Sequence, residues 1–325
     1  MNAVGLTRRQ AVALMGLAAG ANRVSAQEWP DRTIRFIVPT APGGPTDMVG
    51  RQLAERLAVL LKQPVVVDNR PGAGHVIGMA AVAQAAAGGA TWGLVTTPLV
   101  VAPALNPKLP FDPQRDLVPV SLLAAQPLVL VSGSKTPLRT AAELVAYAKR
   151  HPRELNMASA GNATGPHLAG ELFASMAGIQ VTHVPYKGGP QATTAVLAGE
   201  ADFYFDTPSA AIPHIRSGKL SALAVTSKGR SGAMPDVPTV AEQGLPGYEF
   251  ISWTGLVAPR GTPRAVLERM QAEVVRAISS PELQARLGAV GMDVVASSQE
   301  EFAQFIAAEL SKWKKVVVDA RITAD

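Results

Sequence analysis

Residues 34–61, IRFIVPTAPGGPTDMVGRQLAERLAVLL, decide the fold because a strand, a glycine turn and a helix follow one another there. Apolar residues alternate over 34–38 as in a strand, and they recur at helical spacing from Val49 to Leu61. The turn Pro42–Asp47 therefore places unpaired backbone N–H groups at the positive end of a helix. Because glycine allows close approach to the backbone, the turn predicts an anion site, with a β–α connection that binds nothing as the alternative.

The same unit recurs along the chain. Glycine turns also follow the apolar stretches that end near residues 67, 158 and 184, at Pro71–Gly74, Ser159–Gly165 and Pro185–Gly189. Continuous apolar strands separated by helices predict an α/β fold with parallel sheets covered on both faces. Ligands bind at the carboxyl ends of strands in such sheets, so we expect the turns to converge across a cleft. The turn Pro42–Asp47 has the spacing of neither a dinucleotide-binding motif nor a P-loop.

The length of 325 residues predicts two domains. Five prolines over residues 103–119 predict an irregular surface connection before the crossing into the second lobe. We expect the first lobe to comprise residues 27–126 and 227–325, and the second lobe residues 127–226. The return crossing is placed between about residues 226 and 251.

Residues 1–26 resemble an export signal. Arg8 and Arg9 form a basic segment, Ala11–Ala21 is apolar, and Val24-Ser25-Ala26 suits a signal peptidase. A membrane anchor is the alternative, but spanning a bilayer takes about 20 apolar residues. We predict export to the periplasm by the Sec or the twin-arginine route. Cleavage would lower the formal charge from +5 to +2, because it removes three arginines and no acid.

The composition argues against several functions. Without a cysteine, the chain has no disulfide, thiolate metal site or cysteine nucleophile. The five histidines lack metal-ligand spacing, so no metal or cofactor is predicted. Basic runs with interleaved aromatic residues are missing, which argues against nucleic acid. A Ser159–His167–Asp206 triad is conceivable, but no nucleophile-elbow motif occurs, and we predict that the protein is not an enzyme.

Polar side chains beside the turns are candidate ligand contacts. Asp47 either stabilises the start of its helix or orders a water or accepts a hydrogen bond from the solute. Ser159 and Thr164 either cap a helix or donate hydroxyls to a carboxylate. His167 either braces the loop before it or bonds the ligand, and Lys187 either is a solvated rim residue or forms an ion pair.

The sequence resembles a known family over essentially the whole mature chain. The matching segments are Thr33–Arg51, Asn69–Gly74, Ala158–Glu171, His183–Gly188, Leu223–Ser227, Pro235–Gly244 and Trp253–Pro263. In this order they look like the tripartite tricarboxylate transporter substrate-binding proteins, also called Bug receptors. Three positions depart from the family pattern. His75 stands where the family generally has glycine, Pro45 takes a place often held by glycine, and Gly88–Trp92 replaces the usual Asp-Gly-Tyr-Thr-Leu.

The resemblance implies a two-lobe periplasmic binding protein fold of type II, with the ligand cleft between the lobes. It implies capture of a small organic carboxylate, mainly by main-chain groups and ordered water, for delivery to membrane transporter subunits. A sensor domain for a membrane signalling protein remains an alternative, and we expect a monomer. The predicted ligand-binding residues are Pro42, Gly43, Gly44, Thr46, Asp47, Gly72, Ala73, Gly74, His75, Thr96, Thr97, Ser159, Ala160, Gly161, Thr164, His167, Tyr186, Lys187, Gly188 and Asp206.

Overall fold

The computed structural model describes residues 29–106, 108–134, 136–319 and residue 322. The predicted export signal at 1–26 lies outside these residues. The described strands are β1 (Ile34–Val38), β2 (Val65–Asn69), β3 (Thr91–Thr96), β4 (Leu117–Pro127), β5 (Val129–Gly133), β6 (Asn156–Ser159), β7 (Thr182–Pro185), β8 (Phe203–Asp206), β9 (Leu220–Val225), β10 (Ile251–Pro259) and β11 (Asp293–Val294).

The described helices complete an α/β architecture. They are α1 (Pro45–Leu61), a 3₁₀ turn (Ala73–His75), α2 (Val76–Ala83), α3 (Pro98–Leu105), α4 (Ala141–Arg150), α5 (Gly165–Ala177), α6 (Gly189–Ala198), α7 (Pro208–Arg216), α8 (Arg264–Ile278), α9 (Pro281–Gly288) and α10 (Gln299–Asp319). None of them has the length and apolar character needed to cross a membrane.

Two sheets divide these elements between two lobes. The first lobe has the strand order β11-β4-β10-β3-β1-β2 and carries α1–α3 and α8–α10. The second lobe has the order β7-β6-β8-β5-β9 and carries α4–α7. The chain crosses between them at Leu128, the single residue between β4 and β5.

The core covers both faces of each sheet, as predicted. Alternate residues of β1 point to opposite faces, so Phe36 packs with Leu53 of α1 and Met270 of α8. Ile37 belongs instead to the cluster on the other face, which includes Leu99 of α3 and continues into the second lobe. Burying both faces keeps the strands apolar almost throughout.

The prediction of parallel sheets is wrong for part of each sheet. β1, β2 and β3 are parallel, but β10 runs antiparallel to both β3 and β4. β5 is likewise antiparallel to β8 and β9. β5 and β10 each follow a crossing between the lobes. No crossover helix, the usual connection between parallel strands, precedes either of them directly.

The irregular connection predicted over residues 103–119 is also wrong at both ends. Helix α3 continues to Leu105, and β4 begins at Leu117. Pro119 lies in β4 opposite Val257, where the register with β10 shifts. A proline within a strand is tolerated at such an irregularity, because the ladder hydrogen bond it cannot donate is already interrupted there.

Capping boxes begin two of the helices. The Thr140 hydroxyl accepts a hydrogen bond from the Glu143 N–H at the start of α4, and Glu143 accepts from the Thr140 N–H in return. Ser298 and Glu301 make the same reciprocal pair before α10. Both boxes satisfy N–H groups that have no partner within a helix.

Candidate ligand-binding site

The glycine turns of each lobe lie at the carboxyl ends of its parallel strands, on one side of the sheet. β1, β2 and β3 are parallel, so the turns after residues 38 and 69 and the end of β3 share an edge. β6 is parallel to β7 and β8, which brings Ser159–Thr164, Tyr186–Gly188 and Asp206 to one edge of the second sheet. This is the arrangement expected from the sequence.

The first turn is organised around Asp47. The Asp47 carboxylate is buried and accepts hydrogen bonds from the Gly43 N–H (2.9 Å) and from Arg51 Nε (2.9 Å) through Oδ2. Its Oδ1 accepts from Asn69 Nδ2 (2.8 Å), which also ties the turn to the end of β2. Burial would raise the pKa of Asp47, but these hydrogen bonds outweigh burial and hold the pKa below its ordinary value.

The first turn also presents unpaired main-chain donors. The first intrahelical bond of α1 runs from the Met48 N–H to the Gly44 carbonyl (3.0 Å). The N–H groups of Thr46 and Asp47 precede it and so have no intrahelical acceptor. Pro42 and Gly43 are exposed, and Gly43 adopts a positive φ of 85°. N–H groups of this kind, at the positive end of a helix, are donors that suit an anion.

The second turn has an unusual backbone. Four consecutive residues adopt positive φ: Gly72 at 122°, Ala73 at 47°, Gly74 at 58° and His75 at 73°. Positive φ is costly for Ala73 and His75, which carry a Cβ, and such conformations concentrate at binding sites. His75, which stands where the family generally has glycine, thus adopts a backbone conformation that glycine would adopt without strain.

His75 packs against the end of β3. Its Nδ1 lies 3.0 Å from Thr96 Oγ1, and the side chain is half-buried. Desolvation lowers the pKa of His75 to about 4, so the ring is neutral at neutral pH. Next to it, the Thr97 hydroxyl is buried and has no hydrogen-bond partner among the described residues.

The third turn is braced by its own residues. The Ser159 hydroxyl accepts from the Gly161 N–H (3.1 Å), and the Thr164 hydroxyl donates to the Gly161 carbonyl (2.6 Å). Thr164 therefore precedes α5 without capping it through its side chain. His167 Nδ1 accepts from the Ala163 N–H (3.0 Å), the bracing contact that the sequence offered as one alternative. Ala160 lies between Ser159 and Gly161 and is half-buried.

The fourth turn packs on the third. The Tyr186 N–H donates to the Ser159 carbonyl (3.0 Å), and a Cβ at Gly161 would lie 3.3 Å from the Tyr186 carbonyl. Burial raises the pKa of Tyr186. Lys187 is exposed, and Gly188 adopts a φ of 131° just before α6. The described ion pairs do not include Lys187.

Asp206 is the most deeply buried acid of the predicted set. Its Oδ2 accepts from the Thr193 hydroxyl (2.8 Å), and its Oδ1 accepts from the Thr207 N–H (2.7 Å). Desolvation raises the pKa of Asp206 to about 7, and the two hydrogen bonds only partly oppose this shift. These contacts join β8 to α6 and to the residue preceding α7.

Turns from the two lobes meet at Gly74. A Cβ built on Gly74 would lie 3.4 Å from the Asn162 carbonyl oxygen and 3.5 Å from the Ala163 Cβ. The second turn of the first lobe therefore touches the third turn of the second lobe. No described hydrogen bond links Asp206 or Lys187 to the first lobe.

The conceivable catalytic triad is not assembled. Ser159 Oγ lies 2.6 Å from His183 Nε2, while His167 faces Ala163 and Asp206 faces Thr193 and Thr207. Sequence reasoning also missed that Asn69 contacts Asp47 and that His183 contacts Ser159, two of the predicted site residues. Only the pairing of β6 with β7, which sets Met157 opposite His183, brings that histidine to Ser159.

Small-molecule sites occur preferentially where two domains meet, so a two-lobed α/β protein whose glycine turns face one another across a cleft has the architecture of a solute-binding receptor. The sequence profile described as "Tripartite tricarboxylate transporter family receptor" matches residues 49–322. The chain belongs to this family, and it is a receptor and not an enzyme.

Individual relatives agree with this assignment. Protein BugT of Bordetella pertussis is 39% identical over 308 residues, which cover 94% of both chains. The solved structure of Rpa4515 from R. palustris with adipate has a TM-score of 0.86, is 33% identical, and matches over 91% of this chain and 99% of that one. MatC from Rhodopseudomonas palustris with bound malate has a TM-score of 0.83, is 35% identical, and matches over 89% and 100%.

Proposed function

We propose that this receptor captures a small organic carboxylate between its lobes and delivers it to membrane transporter subunits. The observation that carries the proposal is the contact of glycine turns from opposite lobes at Gly74 and Asn162. Adipate and malate in two relatives are both dicarboxylates, which supports a ligand with a carboxylate at each end.

The proposed contacts are main-chain groups supplemented by hydroxyls. One carboxylate is bound by the N–H groups of Thr46 and Asp47 at the positive end of α1. The Thr97 hydroxyl offers a further donor from the end of β3, and turns 72–75 and 159–164 enclose the ligand. Asp47, whose carboxylate accepts three hydrogen bonds within the protein, shapes the first turn and meets the solute through water.

His75 is proposed to set selectivity. A neutral imidazole offers one ring nitrogen to a ligand hydroxyl or carboxylate while the other contacts Thr96. Its volume also narrows the cleft at a position where the family generally has glycine. Lys187, exposed on the rim, would attract anions without holding them.

Closure is proposed to pivot on three residues. The Thr226 hydroxyl accepts from the Leu128 N–H (2.7 Å) and donates to the Phe250 carbonyl (2.7 Å). Main-chain bonds also join Thr226 to Leu128 and to Phe250. These residues connect both crossings, so a hinge motion around them would open and close the cleft.

The return crossing is accordingly proposed near Phe250. Residues 226–250 bond to the second lobe, since the Val240 N–H donates to the Val225 carbonyl and the Tyr248 hydroxyl donates to the Ala169 carbonyl (2.9 Å). Gln243 Oε1 accepts from the Ala141 N–H at the start of α4 (2.8 Å). These contacts support a second lobe that ends at about residue 250, whereas the sequence analysis places the return to the first lobe at residue 227.

A thermal-shift screen tests the proposed function. The mature chain 27–325, unfolded and refolded to remove any carried ligand, is heated with succinate, malate, adipate and monocarboxylates, and with the matching amides as controls. A carboxylate at about a thousand times its Kd should stabilise the fold by about 4 kcal/mol. The amides should not. A cooperative transition that no carboxylate shifts would contradict the proposal. The same panel of compounds, tested on His75→Gly, shows whether His75 sets the selectivity among carboxylates.

Delivery requires its own experiment. The loaded receptor, with photo-crosslinkers on the exposed rims of both lobes, is added to membranes of the source bacterium. Crosslinks to transporter subunits are the expected result. Crosslinks to a signalling protein would instead support the sensor alternative.

A further inference from the structure

Two histidines contact the residues Ser159–Thr164 of the third turn near both ends of this segment. His167 Nδ1 accepts a hydrogen bond from the Ala163 N–H at 3.0 Å, and His183 Nε2 lies 2.6 Å from Ser159 Oγ. The same Ser159 oxygen accepts from the Gly161 N–H. The turn between these anchors includes Gly161 at a φ of 118° and Ala163 at 59°. A residue with a Cβ at positive φ needs support from its surroundings to keep that conformation.

The Ala163 contact fixes the protonation of His167. A backbone N–H can only donate, so Nδ1 must carry a lone pair and no proton. The ring is then neutral with its proton on Nε2, which lies 3.5 Å from Glu171 Oε1. A proton added at Nδ1 would point at the Ala163 N–H and break the bond.

The two rings are also coupled to each other. His167 and His183 stack with their centroids 4.0 Å apart and an interplanar angle of 11°. Charging both rings at this distance is unfavourable. Desolvation lowers the pKa of His183 to about 4. A charge on His167 would act in the same direction, and Glu171 opposes the shift. Glu171 from α5 and the paired ring are the titratable groups that act on His183, and β6 contributes the uncharged Ser159.

We infer that His167 and His183 are positioning residues for the binding turn Ser159–Thr164, and that the turn keeps its binding conformation only while His167 Nδ1 carries no proton and can accept from Ala163. The inference rests on the proposed function in assigning this turn to the solute site. Gly74 of the other lobe touches the turn beside Ala163, so displacing Ala163 also disturbs the contact that encloses the ligand. A proton added at His167 Nδ1 should therefore weaken solute binding.

Two substitutions separate the hydrogen bond from the stacking. His167→Asn places an amide oxygen near the position of Nδ1, and so keeps an acceptor for Ala163 while it removes the ring. His167→Phe keeps an aromatic ring against His183 but has no acceptor. His151→Phe, at an exposed position at the end of α4, is the matched control.

Affinity for the best carboxylate of the screen is measured by calorimetry between pH 4.5 and 8. We expect His167→Phe to weaken binding about tenfold at pH 7.5, the cost of one hydrogen bond. His167→Asn should lose no more than about threefold in affinity, and its affinity should decrease less than that of the wild type as the pH falls. His151→Phe should follow the wild type. Equal losses in the Phe and Asn variants, or a pH profile unchanged in the Asn variant, would overturn the inference.

A second measurement needs no ligand. Imidazole ¹⁵N shifts of the wild-type protein at pH 7 should show an unprotonated Nδ1 at His167, and the Ala163 amide signal should move strongly in His167→Phe. A protonated Nδ1, or an Ala163 signal that the Phe variant leaves in place, would overturn the inference even if that variant unfolds easily. Wild-type protein that binds no carboxylate would contradict the proposed function alone.

Discussion

Asp47 shows why an acidic residue can belong to an anion site. Its charge is neutralised locally by Arg51, and its oxygens accept from the N–H of Gly43 and the amide of Asn69. The sequence offered helix stabilisation or solute contact for this residue. The contacts add a third role, because one carboxylate connects the first turn to the end of β2, the strand that leads into the second turn.

The Asp47→Ala substitution tests that role. Loss of three accepted hydrogen bonds should loosen both turns, weaken carboxylate binding at least tenfold and lower the free energy of unfolding by about 1–3 kcal/mol without abolishing folding. Calorimetry and urea unfolding give the two quantities. Asp236→Ala, at an exposed loop position, should change neither. Unchanged affinity in Asp47→Ala would remove Asp47 and its turn from the site.

Asp206 gives a pH dependence of stability. Its pKa is raised to about 7 in the folded protein, so the folded state holds this proton more tightly than the unfolded state. The resulting stability is present at low pH and is lost as the pH rises from about 4 to 7. The pKa of His183 is lowered, so its effect on stability has the opposite sign. Its contribution to the free energy of unfolding is lost as the pH falls from about 6.5 to 4, a range that overlaps the range of Asp206.

Asp206→Asn isolates the first effect. The amide keeps an acceptor for the Thr207 N–H and can donate to the Thr193 hydroxyl, which can turn to the Gly189 carbonyl. The His183 contribution cancels in the difference between the two proteins. The wild-type free energy of unfolding, relative to that of the variant, should fall by about 2 kcal/mol between pH 5 and 7. A constant difference in urea unfolding would show that Asp206 is ionised throughout this range.

At the scale of elements, local patterns were sufficient where one strand, turn and helix follow one another. The unit over residues 34–61 appears as β1 and α1 with bounds close to those predicted. Strand β4 was missed because Pro119 and Pro127 look like loop residues, while in the sheet they occupy a register shift and a strand end. The directions of β5 and β10 were also missed, because local periodicity does not record which neighbour a strand pairs with.

The turns themselves show the same limit. Their positions could be predicted from the glycine and proline residues in the sequence. The strained backbone conformation of Ala73 and His75 could not be predicted in this way. Nor could the bonds from Asn69 to Asp47 or from His183 to Ser159, whose partners lie 22 and 24 residues apart in sequence. Contacts of this kind depend on sheet order, and they decide which side chains shape the site and which remain on its rim.

For the whole molecule, the same reasoning applies to the contact between lobes. Two lobes could be inferred from length and repeated units, but the approach of Gly74 to Asn162 could not. Gly74 combines a φ of 58° with backbone of the other lobe at 3.4 Å from its Cβ position. Gly178, at the end of α5, has a φ of 61° and open space around its Cβ position, so it matches the backbone strain without the contact.

Leucine at these two positions therefore tests closure. Both Gly74→Leu and Gly178→Leu should lose about 1–2 kcal/mol of stability, because each forces a Cβ into the left-handed region. Only Gly74→Leu places its side chain between the lobes, so it alone should weaken carboxylate binding more than tenfold. Small-angle scattering should show the wild type and Gly178→Leu contracting when ligand is added, and Gly74→Leu keeping its radius of gyration. Equal affinity and equal contraction in the two variants would mean that ligand binding does not bring turns 72–75 and 159–164 together.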